Sequence, residues 1–134
     1  MAVVDYSDVQ GLVRYGYGRL TEACFLLIRI DNPSAARSWL RTAPVTTAVE
    51  MKPPPETALQ VAFTYTGLQA LELPEEVVQQ FSPEFISGMA GEESRSRRLG
   101  DVGDNAPSLW HWGGGENMPH LLVLLYATPG KLES

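Results

Sequence analysis

Cysteine, histidine and basic residues are all scarce in this sequence. Cysteine occurs once, at Cys24, so no internal disulfide framework can form, and a cytoplasmic location is expected. The two histidines make no Cys/His or two-histidine–carboxylate pattern of recognisable spacing, so no metal site is predicted. Lys and Arg total 10 against 16 Asp and Glu, and the net charge of −6 argues against a nucleic-acid partner, because phosphate binding needs a basic face.

Long apolar runs and phosphate-binding or hydrolase motifs are also missing. No stretch approaches the roughly 18–20 apolar residues of a membrane span, so no membrane partner is expected. The first residues contain neither an apolar signal core nor twin arginines, so export is not expected. Three glycines at positions 113–115 precede Glu116 rather than a Lys-Ser/Thr pair, which argues against a phosphate loop. No nucleophile elbow supports a hydrolase triad.

The sequence does contain a well-patterned strand. At 134 residues and 44% hydrophobic, the chain has the size and composition of one globular domain. Residues 57–66 alternate in character, with Leu59, Val61, Phe63 and Tyr65 on one side and small or polar residues on the other. This period of two predicts a strand with one apolar face, and the pattern changes to a short helix at Gly67.

The remaining elements follow in an order typical of an α+β fold. Apolar residues on both faces predict strands at 23–30 and 120–127, and a shorter strand is predicted at 45–50. Asn32 and Pro33 predict a helix start, helices are expected between 74 and 99, and a long loop at 100–119. We therefore expect a ferredoxin-like βαββαβ domain, a four-stranded antiparallel sheet with its helices on one face, at residues 23–127. Residues 1–22 would form an arm and 128–134 a frayed tail.

One face of that sheet would lack a cover. The strands at 23–30 and 120–127 are apolar on both faces, whereas the helices would cover only one. The open face is therefore expected to meet a partner, either another sheet or another subunit. Its lining at the strand 57–66 would be Ala58, Gln60, Ala62 and Thr64.

Several segments resemble the dye-decolorizing (DyP-type) haem peroxidases. The segments that carry the resemblance are residues 8–11 (Asp-Val-Gln-Gly), 26–33 (Leu-Leu-Ile-Arg-Ile-Asp-Asn-Pro), Ala35, Ala36, Trp39, Leu40, 58–68, Leu71, 73–74, Phe81, Phe85, 88–89, 98–101, 106–107, Trp110, Tyr126 and Ala127. They follow the family's order along nearly the whole chain.

The resemblance covers only the family's first half. It implies two ferredoxin-like domains in the full-length family, whose sheets pack together, with haem held by the second. The family's Gly-x-x-Asp-Gly motif, distal arginine and haem-ligating histidine lie beyond residue 134, and residues 100–104 (Gly-Asp-Val-Gly-Asp) do not match that motif. No catalytic residue is carried over, and no cofactor is expected for this chain alone.

Three functional hypotheses follow. The first is a structural or assembly module without peroxidase activity, in which the open sheet face forms a homodimer. The second is a dimer that binds haem or a small molecule between its sheets. The third is half of a split peroxidase, completed by a separate haem-domain chain, and enzyme status stays open between them.

Candidate ligand residues are few. Either His111 or His120 could in principle ligate iron, although a loop anchor and a structural histidine at a strand start are the favoured interpretations. Trp110 and Trp112 flank His111 and are candidates for a pocket or interface.

Overall fold

Three strands of seven residues each form one sheet in the computed structural model, which describes residues 3–133. They are β1 (Glu22–Ile28), β2 (Thr57–Phe63) and β3 (Leu121–Ala127), arranged antiparallel in the order β1–β3–β2. The Thr128 amide donates to the Glu56 carbonyl at 2.9 Å, and the Thr64 amide donates to the His120 carbonyl at 3.2 Å. Both pairs fit one register, so β2 and β3 run side by side without a bulge.

The fourth predicted strand, at 45–50, does not form among the described residues. Thr47 makes only an isolated antiparallel bridge with Gln10. The free edge of β2 is satisfied by other groups: the Gln10 side-chain amide bonds both the amide and the carbonyl of Val61, at 2.8 and 2.9 Å, and Thr46 bonds Leu59. Because a side chain occupies the backbone groups that a ladder would use, the sheet stops at three strands.

Five helices join the strands. Their bounds are α1 Pro33–Thr42, α2 Tyr65–Ala70, α3 Glu75–Val78, α4 Pro83–Ser87 and α5 Glu93–Leu99. The predicted cap at Asn32 is confirmed, since its side-chain oxygen accepts from the Ala35 amide at 3.0 Å. Single 3₁₀ turns occupy Tyr6–Asp8, Gly11–Val13, Gly103–Asn105, Pro107–Leu109 and Gly115–Asn117. The structure is therefore α+β, as predicted, with a smaller sheet. None of the described helices is both long and apolar enough to cross a membrane.

The contacts divide the chain into two compact units. The first comprises the chain up to Leu26, Thr42–Ala62 and the chain from Leu122 onward. The second comprises Leu27–Arg41 and Phe63–Leu121. Residues 3–22 of the predicted arm thus belong to the same unit as most of β2 and β3, while the domain boundaries at 22 and 127 stay a prediction.

The first unit buries the residues around β2 and β3. Its most buried side chains are Ala48, Ala58, Gln60, Val123 and Ala127. The tail expected to fray is held here, because the Gly130 amide donates to a carboxylate oxygen of Glu22 at 2.8 Å. The Lys131 side chain lies 3.8 Å from the Glu56 carboxylate, and fraying of the tail stays a prediction.

The second unit buries apolar side chains of its short helices and the start of β3. They are Leu68, Leu71, Val78 and Leu121. The longest helix, α1, contributes no fully buried residue, and its Trp39 side chain is 39% exposed. Instead, the Arg37 side chain attaches α1 to the C-terminal end of α2, donating to the Leu71 carbonyl at 2.7 Å. The amphipathic pattern thus predicts this helix but not its burial.

Candidate functional site

An apolar groove of about 680 Å³ lies within the second unit. Its walls come from the end of β2, from α4 and from the loop that leads to β3. Its apolar lining includes Phe63, Phe85, Met89, Trp110, Trp112 and Met118. The volume falls in the range of about 300–1,000 Å³ typical of small-molecule sites. We call this set of surfaces the tryptophan groove.

Thr64 ties two walls of the tryptophan groove together. Its hydroxyl accepts from the Gly67 amide at 3.1 Å, which caps α2, and donates to the Pro119 carbonyl at 2.8 Å. Gly67 packs directly against the backbone of His120, where a β-carbon would lie 2.6 Å from the His120 carbonyl carbon. The end of β2 and the residues before β3 are therefore held close together.

Residues 105–117, which we call the tryptophan loop, are positioned by hydrogen bonds to their own backbone. The Trp110 indole N–H donates to the Asn105 carbonyl at 2.9 Å, which orients one ring. Gly113 has a φ of 88°, a conformation that favours glycine, and its amide donates to the Asn117 carbonyl at 2.9 Å. The glycine run at 113–115 therefore serves loop geometry in the described structure, and Trp112 next to it stays 59% exposed.

Glu84 is the one Asp, Glu, Lys, Arg or His side chain among the described residues of the lining. Glu84, in the first turn of α4, is exposed, and its carboxylate pairs with no cation among the described residues. The Arg95 guanidinium donates to two lining residues, the Ser87 hydroxyl at 3.2 Å and the Gly88 carbonyl, and lies 3.6 Å from the Glu92 carboxylate. The groove therefore combines indole and thioether surfaces with one carboxylate that forms no salt bridge among the described residues.

The two histidines occupy different environments. His120 is half-buried, and its Nδ1 accepts from the Ile30 amide at 3.0 Å. A neutral imidazole has only one acceptor nitrogen, so Nε2 then carries the proton, and His120 does not fit an iron ligand in this state. His111 is exposed in the tryptophan loop. Among residues 3–133, no cluster of three His, Cys, Asp or Glu could hold a metal ion.

The four strand residues expected to line an open face are separated. Gln60 is 1% exposed and Ala58 is 4% exposed, both covered by the chain itself. The Leu12 amide donates to the Gln60 side-chain oxygen at 3.0 Å, and the Gln60 amide nitrogen donates to the Thr46 carbonyl at 2.9 Å. These two side chains are therefore not accessible to a partner. Ala62 is exposed, and Thr64 belongs to the tryptophan groove with Trp110 and Trp112.

A smaller pocket of about 370 Å³ lies in the first unit. Tyr15, Tyr17, Arg19, Glu50 and Pro54 are among its lining residues. Burial raises the pKa of the Tyr17 hydroxyl above its ordinary value of 10.0, and negative charge on Tyr15 or Tyr126 would raise it further. The Tyr17 and Tyr126 rings lie 5.7 Å apart. This pocket is thus lined by two tyrosines, and burial favours the neutral form of the Tyr17 hydroxyl.

Part of the exposed apolar surface lies on β1. In the three-stranded order this strand lies at an edge, and Phe25 is 59% exposed while Leu26 and Leu27 are each 43% exposed. Phe25 and Leu27 lie on one face of the strand and Leu26 on the other, because side chains alternate along a strand. An edge strand with exposed apolar side chains on both faces favours association.

Comparison with known proteins provides neither a family nor a function for this chain. No family model matches the chain, and no curated protein matches it.

Pattern reasoning from the sequence found part of the groove and missed part. It singled out Trp110, Trp112 and Thr64. It did not find Glu84, Phe85 or Met118, since an exposed glutamate at a helix start is normally explained by the helix dipole, and helical apolar residues by the core. No local signal marks these residues as neighbours of the tryptophan loop.

Proposed function

We propose that this chain is an assembly module, the N-terminal, haem-free half of a DyP-type protein, which associates with a second copy of itself. The proposal rests chiefly on one observation, the exposed apolar edge strand β1. The edge of β1 takes the place of the open sheet face that the sequence predicted as the interface. That face is covered at Gln60, which bonds the Leu12 amide and the Thr46 carbonyl.

Strand pairing is the association that this edge favours. An edge strand presents unpaired amides and carbonyls, and natural proteins usually protect such edges with charge, proline or a bulge. The seven residues of β1 carry only one charged side chain, Glu22, which already bonds the Gly130 amide. Pairing β1 with its copy would satisfy these backbone groups and remove Phe25 and its neighbours from water.

The resemblance to DyP-type peroxidases supports the proposal that this chain corresponds to the haem-free half. The order strand, helix, strand, helices, strand agrees with the ferredoxin-like plan, which we propose in a form reduced to three strands, with residues 45–48 in place of the second strand. Since the resemblance provides neither the haem-ligating histidine nor the distal acid, the chain alone would lack peroxidase activity. We further propose a cytoplasmic location, which the unpaired Cys24 supports.

Hydrogen exchange tests the pairing site. The backbone amides of β1 should exchange more slowly as the protein concentration rises from the nanomolar to the high micromolar range, whereas those of α3 should not change. Exchange of β1 that is independent of concentration would contradict association through this strand.

Haem binding is the second candidate, favoured by the exposed imidazole of His111 beside the tryptophan groove. A hemin titration would show a shifted Soret band that disappears in His111→Ala and persists in His120→Ala. A band that is unshifted in the wild type would contradict this candidate.

A split peroxidase is the third candidate, with the haem domain on a separate polypeptide. It predicts a neighbouring reading frame that encodes Gly-x-x-Asp-Gly, and co-expression of the two chains would give a haem-containing complex. A complex that does not form on co-expression would contradict it.

A further inference from the structure

We propose that the pocket lined by Tyr15, Tyr17 and Arg19, which we call the tyrosine pocket, binds a small organic carboxylate with an apolar body. Its described lining residues all belong to the first unit, and none of them lies in β1. The proposal is therefore independent of the assembly proposed through that strand.

The size and walls of the tyrosine pocket favour a small ligand with an apolar part. Its volume of about 370 Å³ lies in the lower part of the range of about 300–1,000 Å³ typical of small-molecule sites. The apolar part of the lining comes from Leu20, Val49, Met51, Pro54 and Pro55. Val49 and Met51 are exposed, so a bound hydrocarbon group would remove part of their surface from water.

The charged groups around the tyrosine pocket favour an anion. Among the described residues, the lining contains one basic side chain, Arg19, and one acidic side chain, Glu50, which already lies 3.1 Å from the Lys52 ammonium group. The Arg14 guanidinium lies 5.2 Å from the centre of the Tyr15 ring. Neither Arg14 nor Arg19 forms a salt bridge within the part of the chain that the structure describes. An anion would therefore meet two cations that have no acidic partner.

A carboxylate suits these groups better than a phosphate does. The guanidinium of Arg19 carries parallel N–H donors that match the two oxygens of a carboxylate. The net charge of −6 repels anions at long range, and this repulsion is smaller for a singly charged carboxylate than for a phosphate monoester. Close contacts within the pocket must therefore provide the selectivity.

The Tyr15 hydroxyl supports a ligand that accepts hydrogen bonds. This hydroxyl is buried and makes no hydrogen bond with any described residue. Buried polar groups are normally hydrogen-bonded, so a group without a partner needs an explanation such as a bound molecule. A carboxylate oxygen in the tyrosine pocket would accept from this hydroxyl.

The test compares two probes of nearly the same shape. Cyclohexanecarboxylate is the anion and cyclohexanecarboxamide is its neutral counterpart, and each is titrated at neutral pH while the backbone amide signals are followed by NMR. We expect saturable shifts at residues 16–19 and 46–50, with the carboxylate binding at least about fivefold more tightly than the carboxamide. Its affinity should fall as salt is added. Equal affinities, or no saturable shift with the carboxylate, would overturn the proposal.

Two arginine variants separate the local contact from the net charge. Arg19→Gln should weaken carboxylate binding about fivefold and leave carboxamide binding unchanged. Arg41→Gln is the matched control, because Arg41 is exposed, lies in α1 and is outside the described lining. Its affinity should equal that of the wild type. An equal loss of affinity in both variants would overturn the proposal, since it would reflect net charge alone.

Tyr15→Phe distinguishes a ligand contact from a structural role. Because the hydroxyl has no partner in the free protein, its removal should not lower the free energy of unfolding, yet it should weaken carboxylate binding about threefold. Urea denaturation and the same NMR titration measure the two effects. A lower free energy of unfolding with unchanged carboxylate affinity would overturn the proposal, because the hydroxyl would then have its partner within the chain.

Discussion

The side-chain oxygen of Gln60 accepts a hydrogen bond from the backbone amide of Leu12 at 3.0 Å. The amide nitrogen of the same side chain donates to the carbonyls of Thr46 and Leu59, at 2.9 and 2.7 Å. One buried glutamine of β2 therefore connects this strand to the N-terminal segment and to the segment that follows α1. It closes the face of β2 that the alternating sequence pattern would leave to a partner.

Replacing Gln60 should destabilise the chain strongly. Gln60→Leu keeps the approximate size but leaves the Leu12 amide and the Thr46 carbonyl without this partner, at a cost of about 2–4 kcal/mol. Urea denaturation followed by circular dichroism measures the change. Gln69→Leu, at an exposed position of α2, is the control and should alter stability by less than about 0.5 kcal/mol. Equal stabilities of the two variants would contradict the bonding described for Gln60.

Gly67 should not tolerate a side chain. A β-carbon there would overlap the carbonyl oxygen of His120 and lie 2.6 Å from its carbonyl carbon, and backbone cannot move aside as a flexible side chain can. Gly67→Ala is expected to cost about 1–3 kcal/mol and to disturb the tryptophan groove. In Gly16→Ala the new methyl group meets nothing within 4 Å, so its melting temperature should stay close to that of the wild type. Thermal denaturation of the two variants checks this.

The half-buried His120 is expected to act as a hydrogen-bond acceptor. His120→Ala leaves the Ile30 amide without its 3.0 Å partner and should cost about 1–2 kcal/mol. His120→Asn places an oxygen near the position of Nδ1 and should recover most of that loss. The amide chemical shift of Ile30 reports the bond directly, and a shift that is the same in all three proteins would contradict it.

Tyr17 should make stability fall at alkaline pH. Its raised pKa means that the folded state favours the neutral hydroxyl, so this contribution is complete below the ordinary value of 10.0. It is lost as the pH rises through the folded-state pKa, because the unfolded chain ionises first. Unfolding free energies measured between pH about 9 and 11 should fall less steeply in Tyr17→Phe than in the wild type. Parallel slopes would contradict the assignment.

Sequence patterns predicted the strands and the helix cap that depend on residues close together in the sequence. The strand predicted at 57–66 is observed as Thr57–Phe63, since α2 already begins at Tyr65, and the strand predicted at 120–127 is observed as Leu121–Ala127. The predicted Asn32 cap is also present. The failed strand at 45–50 has a non-local cause. Gln10, some 50 residues from Val61, occupies the edge where that strand would pair, and no pattern within either segment reports that contact.

The residues of the candidate site were likewise predicted only in part. Two tryptophans within a glycine-rich loop indicated a surface of interest, and both line the groove. Ala58 and Gln60 were expected on an accessible face because their side of β2 is small and polar. A small residue and a fully bonded glutamine suit burial under the chain's own N-terminal segment equally well, and only the structure distinguishes the two.

Association through β1 is the central claim, and light scattering during size-exclusion chromatography at micromolar concentration tests it most directly. The wild type should have twice the chain mass of 14.7 kDa. Leu26→Lys, which places a charge on the exposed edge strand, should have the mass of one chain. Val13→Lys, at a residue 80% exposed outside β1, should remain dimeric. A wild-type mass of 14.7 kDa, or a dimer unaffected by Leu26→Lys, would contradict the account.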